Sequence, residues 1–201
     1  MPRIGIVGGT FNPVHYGHLI AAEEARESLG LDKVLFVPNF VPPHKESSSL
    51  ASGGERMDML RLALAGNPSF ESSSIELDRG GVSYTIDTVR ELIAGNGEGR
   101  FTFISGADAV LTSKWRDFDG LLALLESFVA VSRPGYSFDD LRERVSVFSN
   151  RDKFVFLEIP GGAYSSTDIR KRVAEGRSIR YLVPDPVREY ILSNGLYRPL
   201  D

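Results

Sequence analysis

Six short runs rich in β-branched and aromatic residues, at 4–7, 33–37, 74–77, 101–104, 128–131 and 154–157, recur along the chain between segments of helical pattern. Most are apolar throughout instead of alternating with polar residues. A strand of that kind is covered on both faces, as in a parallel sheet flanked by helices. Residues 19–29, 55–64 and 85–93 read as crossover helices closed by Gly30, Gly66 and Gly95, since glycine takes the left-handed cap conformation at no steric cost. A shorter helical stretch surrounds 121–125. Further helices run over about 166–175 and 186–193, the latter with Val187, Tyr190 and Ile191 on one face. Strands and helices that alternate, joined by right-handed crossovers, predict an α/β fold with a doubly wound parallel sheet and helices on both faces.

The composition suits one such domain spanning 1–201, with no repeat and no compositional break. With 42% hydrophobic and 25% charged residues among 201, the chain buries about 70% of its unfolded surface on folding. It has no cysteine, which excludes a disulfide framework, thiolate metal sites and thiol catalysis. A net charge of −4 argues against a duplex nucleic-acid binder, which carries a basic footprint, but leaves room for local sites that hold small anions. No apolar run approaches the ~18 residues of a membrane span, and 4–7 is too short for a signal-peptide core. The expectation is a cytoplasmic protein without a membrane partner.

Two segments carry chemistry. The first strand runs into Gly8-Gly9-Thr10-Phe11-Asn12-Pro13-Val14-His15-Tyr16-Gly17-His18, which opens the first helix. Glycines at a strand's carboxyl end let a ligand approach the backbone, and a helix start offers free N–H groups to an anion, so phosphate is the natural guest. Neither common nucleotide fingerprint is present: the P-loop spacing is absent, and so is the three-glycine dinucleotide pattern with its acidic ribose ligand. A pair of histidines, His15 and His18, stands in their place. All three histidines, with His44, lie in glycine- or proline-rich segments where packing does not explain them. Two other readings stay open for the pair: structural capping, or a metal site with His44 as third donor. Imidazoles aimed at phosphate oxygens can instead offset charge that develops at phosphorus, and a histidine acting there as a cation is expected to titrate above about 6.5.

The second segment, Tyr164-Ser165-Ser166-Thr167-Asp168-Ile169-Arg170, leads from the last strand into a helix. Its hydroxyls, the helix N–H groups and the guanidinium would together cradle a polyphosphate; a serine cap with a solvated arginine is the simpler reading. Two anion sites at one sheet edge suggest two phosphate-bearing substrates or one polyphosphate. A substrate phosphate can then be the nucleophile, and the protein positions it and stabilises charge. The long irregular segment 39–54, with Pro42-Pro43-His44-Lys45, is where α/β proteins place binding loops.

These residues resemble the nucleotidyltransferase superfamily with a His-x-Gly-His motif, here His15-Tyr16-Gly17-His18, joined by Ser165-Ser166-Thr167 and Ile169-Arg170. Ser83-Tyr84-Thr85-Ile86-Asp87-Thr88, Gly106-Ala107-Asp108 and Trp115 make the chain similar, over nearly its whole length, to the bacterial nicotinate mononucleotide adenylyltransferases. The family often carries Asp where Asn12 stands, a departure expected to matter little if the backbone does the work there.

The resemblance implies a Rossmann-like nucleotidyltransferase fold whose part over about 160–201 completes the triphosphate site. It implies transfer of the adenylyl group of ATP to nicotinate mononucleotide, giving deamido-NAD and pyrophosphate, with Mg2+ entering on the ATP. By carry-over, His15, His18 and Arg170 are catalytic. Gly8, Gly9, Thr10, Phe11, Asp108, Ser165, Ser166, Thr167 and Ile169 hold ATP, with Thr10 and Phe11 acting through backbone donors and Asp108 on the ribose. Lys45, Tyr84, Thr85 and Trp115 hold nicotinate mononucleotide; no residue is assigned to a protein-bound metal. A core anchor is the other reading of Trp115. Related transferases acting on nicotinamide mononucleotide or phosphopantetheine, and a non-catalytic nucleotide sensor, are the alternatives.

Overall fold

The computed structural model describes residues 1–40, 50–96, 99–112, 115–132, 137–160, 162 and 164–199. In chain order the elements are β1 (Arg3–Gly9), α1 (Tyr16–Leu29), β2 (Lys33–Pro38), α2 (Gly53–Leu64), β3 (Phe70–Ser72), α3 (Ile75–Arg79), α4 (Thr85–Asn96), β4 (Arg100–Gly106), α5 (Ala107–Thr112), α6 (Phe118–Leu124), β5 (Ser127–Ser132), α7 (Asp139–Val145), β6 (Phe154–Glu158), α8 (Ser166–Ala174) and α9 (Asp185–Ser193). The sheet has the order β3-β2-β1-β4-β5-β6, with every pairing parallel. The chain winds outward in both directions from β1. The point where it reverses, between the carboxyl ends of β1 and β4, is the crevice where such sheets bind ligands.

Both faces are covered, as the apolar runs require. On β2, Val34 and Phe36 enter one core while Leu35 and Val37 enter the other; on β5, Val129 and Val131 oppose Phe128 and Ala130 in the same way. Successive side chains of a strand point to opposite faces, so an uninterrupted apolar run supplies two cores at once. One core is closed by Ala22, Leu60, Ile169, Val173, Val187 and Ile191 from α1, α2, α8 and α9. The other is closed by Ile86, Val89, Leu121 and Leu141 from α4, α6 and α7.

Five of the six predicted strands are present, and one is corrected. Residues 74–77 lie at the start of the helix α3; the third strand is Phe70–Ser72, three residues pairing with β2 from Val34 to Phe36. Phe70 wins that place because its ring packs on Phe36, with centroids 5.1 Å apart. The polar residue in the 74–77 run, Glu76, is buried and accepts a hydrogen bond from Thr88 Oγ1 at 2.5 Å, a local tie that suits a helical turn ended by Gly80 at φ 68°. Gly30 closes α1 in the left-handed conformation as expected. Gly66 and Gly95 do not act as left-handed caps: α2 ends on Ala65 in the right-handed region, and Gly95 lies within α4. The long segment after β2 ends earlier than expected, because Ser52 and Glu55 form a reciprocal capping box that starts α2 at Gly53.

Candidate active site

The loop from β1 to α1 is built so that its carbonyls are taken from behind. The Gly9 carbonyl accepts the Asn39 N–H at 3.0 Å. Arg56 Nη1 donates to the Thr10 carbonyl at 3.0 Å, Arg170 Nη1 to that of Asn12 at 2.8 Å, and Ser166 Oγ to that of Pro13 at 2.9 Å. In a trans peptide the N–H points opposite to the carbonyl it shares a plane with. The N–H groups of Thr10 and Phe11 are therefore directed away from Asn39 and Arg56, and neither donates to another described residue. Phe11 holds this shape at φ 48°, a region rarely adopted by bulky residues. Its buried ring wedges between Phe36 and the edge of His18, with centroid distances of 5.9 and 5.1 Å. The Asn12–Pro13 peptide is cis.

His15 is the extended N-cap of α1 and His18 is its third helical residue. The two rings stack at 3.7 Å with 16° between their planes, and the His15 N–H donates to His18 Nδ1 at 3.2 Å. A neutral imidazole that accepts at Nδ1 carries its proton on Nε2, which leaves His18 as a hydrogen-bond donor. Burial and the adjacent His15 hold the His18 pKa well below the usual 6.5. This holds in the free protein, whereas the expectation of a cation titrating above that value concerned a histidine with substrate phosphates beside it. Gly17 of the motif has its own steric cause: a Cβ there would sit 2.9 Å from Tyr164 Cβ and 3.1 Å from the His15 ring. The motif glycine lets the second segment close onto the first.

That closure brings the two helix mouths together. Besides the Arg170 and Ser166 ties, Tyr164 lies in a stacked orientation on His15 at 6.2 Å. Ser165 caps α8, its Oγ accepting the Asp168 N–H at 3.5 Å, and Thr167 Oγ1 accepts from Arg170 Nη2 at 3.3 Å. Ile169 departs from the predicted site. Its side chain is 1% exposed within the core and its N–H is spent on the Ser165 carbonyl, so neither part is available to phosphate.

A cleft of about 620 Å³ opens at the carboxyl ends of β1, β4 and β5, at the reversal point. Gly8, His15, His18, Asp108, Ser132 and Tyr164 are among its lining residues. Ser132 Oγ is buried there without a hydrogen-bond partner among the described residues. Tyr84, Thr85 and Trp115 do not line this cleft. Tyr84 lies under the Arg116 guanidinium at 4.7 Å, and Arg116 also meets Asp87 at 3.5 Å. The Trp115 indole packs against Phe118, Phe128 and Phe103 with centroids 5.1, 5.5 and 5.9 Å away, and its Nε1 is buried and unpartnered among the described residues. Lys45 and His44 lie outside the described residues. Among those described, no group of three or more His, Asp or Glu side chains is placed to hold a metal ion.

Sequence reasoning missed two polar residues that shape this site. Asn12 works through its side chain as well as its backbone: Oδ1 accepts from the Tyr197 hydroxyl at 2.8 Å and the Ala51 N–H at 3.1 Å. Arg56 lies in Glu55-Arg56-Met57, a segment that shares in the family resemblance but carries no expected role, and it is a cation on the same helical stripe as Met59, Leu60 and Leu64, all of them buried.

Comparison with known proteins agrees with this geometry. The family model for cytidylyltransferase-like proteins matches residues 6–172. A Moorella thermoacetica protein named "Probable nicotinate-nucleotide adenylyltransferase" is 47% identical over 201 residues, covering 98% of this chain and 92% of that protein. A Desulfitobacterium hafniense protein of the same name is 45% identical over 203 residues, covering 98% and 96%. In fold, the chain is similar to Plasmodium falciparum nicotinic acid mononucleotide adenylyltransferase complexed with NaAD, with a TM-score of 0.81 at 18% identity and 98% of each chain covered.

Proposed function

The chain belongs to the cytidylyltransferase-like family, and from that premise we propose that it transfers the adenylyl group of ATP to nicotinate mononucleotide. A 5′-phosphate oxygen of the mononucleotide attacks the α-phosphorus of ATP in line. The bond from that phosphorus to the bridging oxygen breaks, and pyrophosphate leaves with its electron pair. The relatives' names support this acceptor, and the carrying observation is the convergence of the two helix mouths on one cleft through the Arg170 and Ser166 ties to Asn12 and Pro13.

The roles follow from the donors each group has left. Among the described residues the Thr10 and Phe11 N–H groups and the Nε2–H of His18 have no acceptor, which suits them to oxygens whose charge grows in the transition state. His15 backs His18 by stacking and by fixing its tautomer through the main chain. Arg170, with Ser165, Thr167 and the start of α8, receives the triphosphate; Ser166 spends its hydroxyl proton on Pro13 and serves closure. Gly8 and Gly9 belong to the ATP side, where a Cβ would press on the rings of Phe103 at 3.2 Å and Phe11 at 3.3 Å, and Asp108, exposed at the first turn of α5, faces the ribose. Mg2+ fits as an ion carried on the phosphates and water, which suits its reluctance to dehydrate and the single carboxylate, Asp108, that the described residues put on the cleft wall. Lys45, Tyr84, Thr85 and Trp115 belong to the acceptor side. Among the described residues no helix is long and apolar enough to cross a membrane.

A panel of acceptors tests the reading. Purified protein is given Mg·ATP with nicotinate mononucleotide, nicotinamide mononucleotide or phosphopantetheine, and pyrophosphate is measured. Preference for nicotinate mononucleotide is expected. Preference for either of the others reassigns the acceptor, and tight ATP binding without pyrophosphate from any of them makes the protein a sensor.

A further inference from the structure

Arg56 is 1% exposed, and its guanidinium meets no carboxylate among the described residues. Its partners are four main-chain carbonyls: Nε donates to Ala51 at 3.1 Å, Nη1 to Thr10 at 3.0 Å and Asn39 at 2.7 Å, and Nη2 to Phe40 at 3.3 Å. Burial drives its pKa down, although a guanidinium keeps its proton at any working pH. As a core filler this residue is a poor choice, since an apolar side chain of similar volume fills space without desolvating a charge. Its use lies in what those carbonyls belong to.

Thr10 is in the loop whose N–H groups at Thr10 and Phe11 face away from Asn39 and Arg56. Drawing its carbonyl toward Arg56 sets the direction of the Phe11 N–H, because the two share one peptide plane. Asn39 and Phe40 form the exit of β2 and lead toward Lys45. Asn39 returns its own N–H to Gly9, which sets the Thr10 N–H in turn, and the Phe40 N–H reaches Ser83 Oγ at 3.1 Å, next to Tyr84 and Thr85. Ala51 opens the turn into α2 and ties by its N–H to Asn12 Oδ1. One planar fork therefore holds the phosphate loop, the β2 exit and the start of α2 in a fixed relation.

We propose that Arg56 is a positioning residue for adenylyl transfer, its guanidinium setting the register between the Thr10–Phe11 donors and the β2 exit that serves the acceptor side. It touches neither substrate. A lysine keeps the charge but cannot fork to four carbonyls. A methionine keeps much of the volume and removes both charge and donors.

This inference rests on the function proposed above, and the wild-type acceptor panel tests that function separately. Arg56→Lys, Arg56→Met and Arg56→Ala are compared with wild type for kcat and KM per folded molecule, with folding checked by circular dichroism and melting temperature. The expected result is a kcat lower by about 10²-fold, the scale of an ~1 Å misplacement, with both KM values within about threefold of wild type. In Arg56→Ala, millimolar guanidinium chloride, but not sodium chloride at equal ionic strength, raises kcat. A folded variant with wild-type kcat overturns the proposal. So does activity that merely tracks the folded fraction without guanidinium rescue, or the failure of all three variants to fold, either of which makes Arg56 a core residue and nothing more.

Discussion

Arg170 donates from Nη1 to the main-chain carbonyl of Asn12 at 2.8 Å across 158 positions of sequence. A residue from the last third of the chain thereby shapes the loop that follows the first strand. The same guanidinium reaches Thr167 Oγ1 through its other terminal nitrogen, so one planar group spans the two segments that the proposed reaction must bring together.

Replacing Arg170 should therefore affect geometry and charge together. Arg170→Ala is expected to lower kcat/KM by ~10³-fold, and Arg170→Lys, which restores a point charge without the fork, by ~10- to 100-fold. Steady-state kinetics with ATP and nicotinate mononucleotide check this. Similar losses for the two variants would show that the forked geometry matters and that a point charge alone restores nothing.

His18→Ala removes an imidazole whose Nε2–H has no acceptor among the described residues. Turnover should fall by ~10²-fold or more while the KM for ATP changes far less, because a donor aimed at developing charge contributes chiefly in the transition state. Equal losses in binding and turnover would argue against that role.

The His18 pKa is held down in the folded protein by burial and by His15. Between that lowered value and about 6.5 the unfolded chain binds a proton that the folded chain does not, so stability rises with pH across this window and is level above it with respect to this group. Urea midpoints measured as the pH is lowered from about 6.5 should decline less steeply for His18→Asn, which retains an acceptor for the His15 N–H but does not titrate. Identical slopes would remove His18 as the source.

Asn12 Oδ1 accepts two hydrogen bonds, a side-chain role that stands beside the backbone role expected to matter more there. Asn12→Ala leaves the Ala51 N–H and the half-buried Tyr197 hydroxyl without that acceptor and should cost about 1–3 kcal/mol. Asn12→Asp keeps an acceptor in place and should stay within about 1 kcal/mol of wild type. Chemical denaturation measures both, and an innocuous alanine would refute the assignment.

Trp115 is the only tryptophan of the chain, so its fluorescence reports one site. The indole is partly buried against Phe103, Phe118 and Phe128, and a pyridine ring stacked on it should shift its emission when nicotinate mononucleotide is added. An unchanged spectrum at saturating acceptor would leave Trp115 as a core anchor.

Much of this was legible in advance. The unbroken apolar character of 33–37 and 128–131 required strands covered on both faces, and the two cores divide those residues by alternation. Ser52 with Glu55 carries a helix-start pattern, yet the expected loop reaches 54 and the expected helix begins at 55, two residues after the observed start at Gly53. The third strand was misplaced because its evidence is tertiary: three residues, Phe70–Ser72, hold an edge position through Phe70 packing on Phe36, while 74–77 has more apolar character but turns helical around buried Glu76. Ile169 shares a motif with phosphate-facing neighbours yet points into the core, since successive residues of a helix diverge by about 100°.

By itself, the amino-acid order determined the doubly wound sheet and the two anion-handling helix starts, because both are written locally, in apolar runs, strand-end glycines and hydroxyls before a helix. Only the tertiary structure decided how those starts meet, which carbonyls Arg56 gathers, and that His18 is held neutral as a donor. Those outcomes depend on direction and burial between groups up to 185 positions apart, as in the Tyr197–Asn12 hydrogen bond, and no local pattern encodes the distance between them.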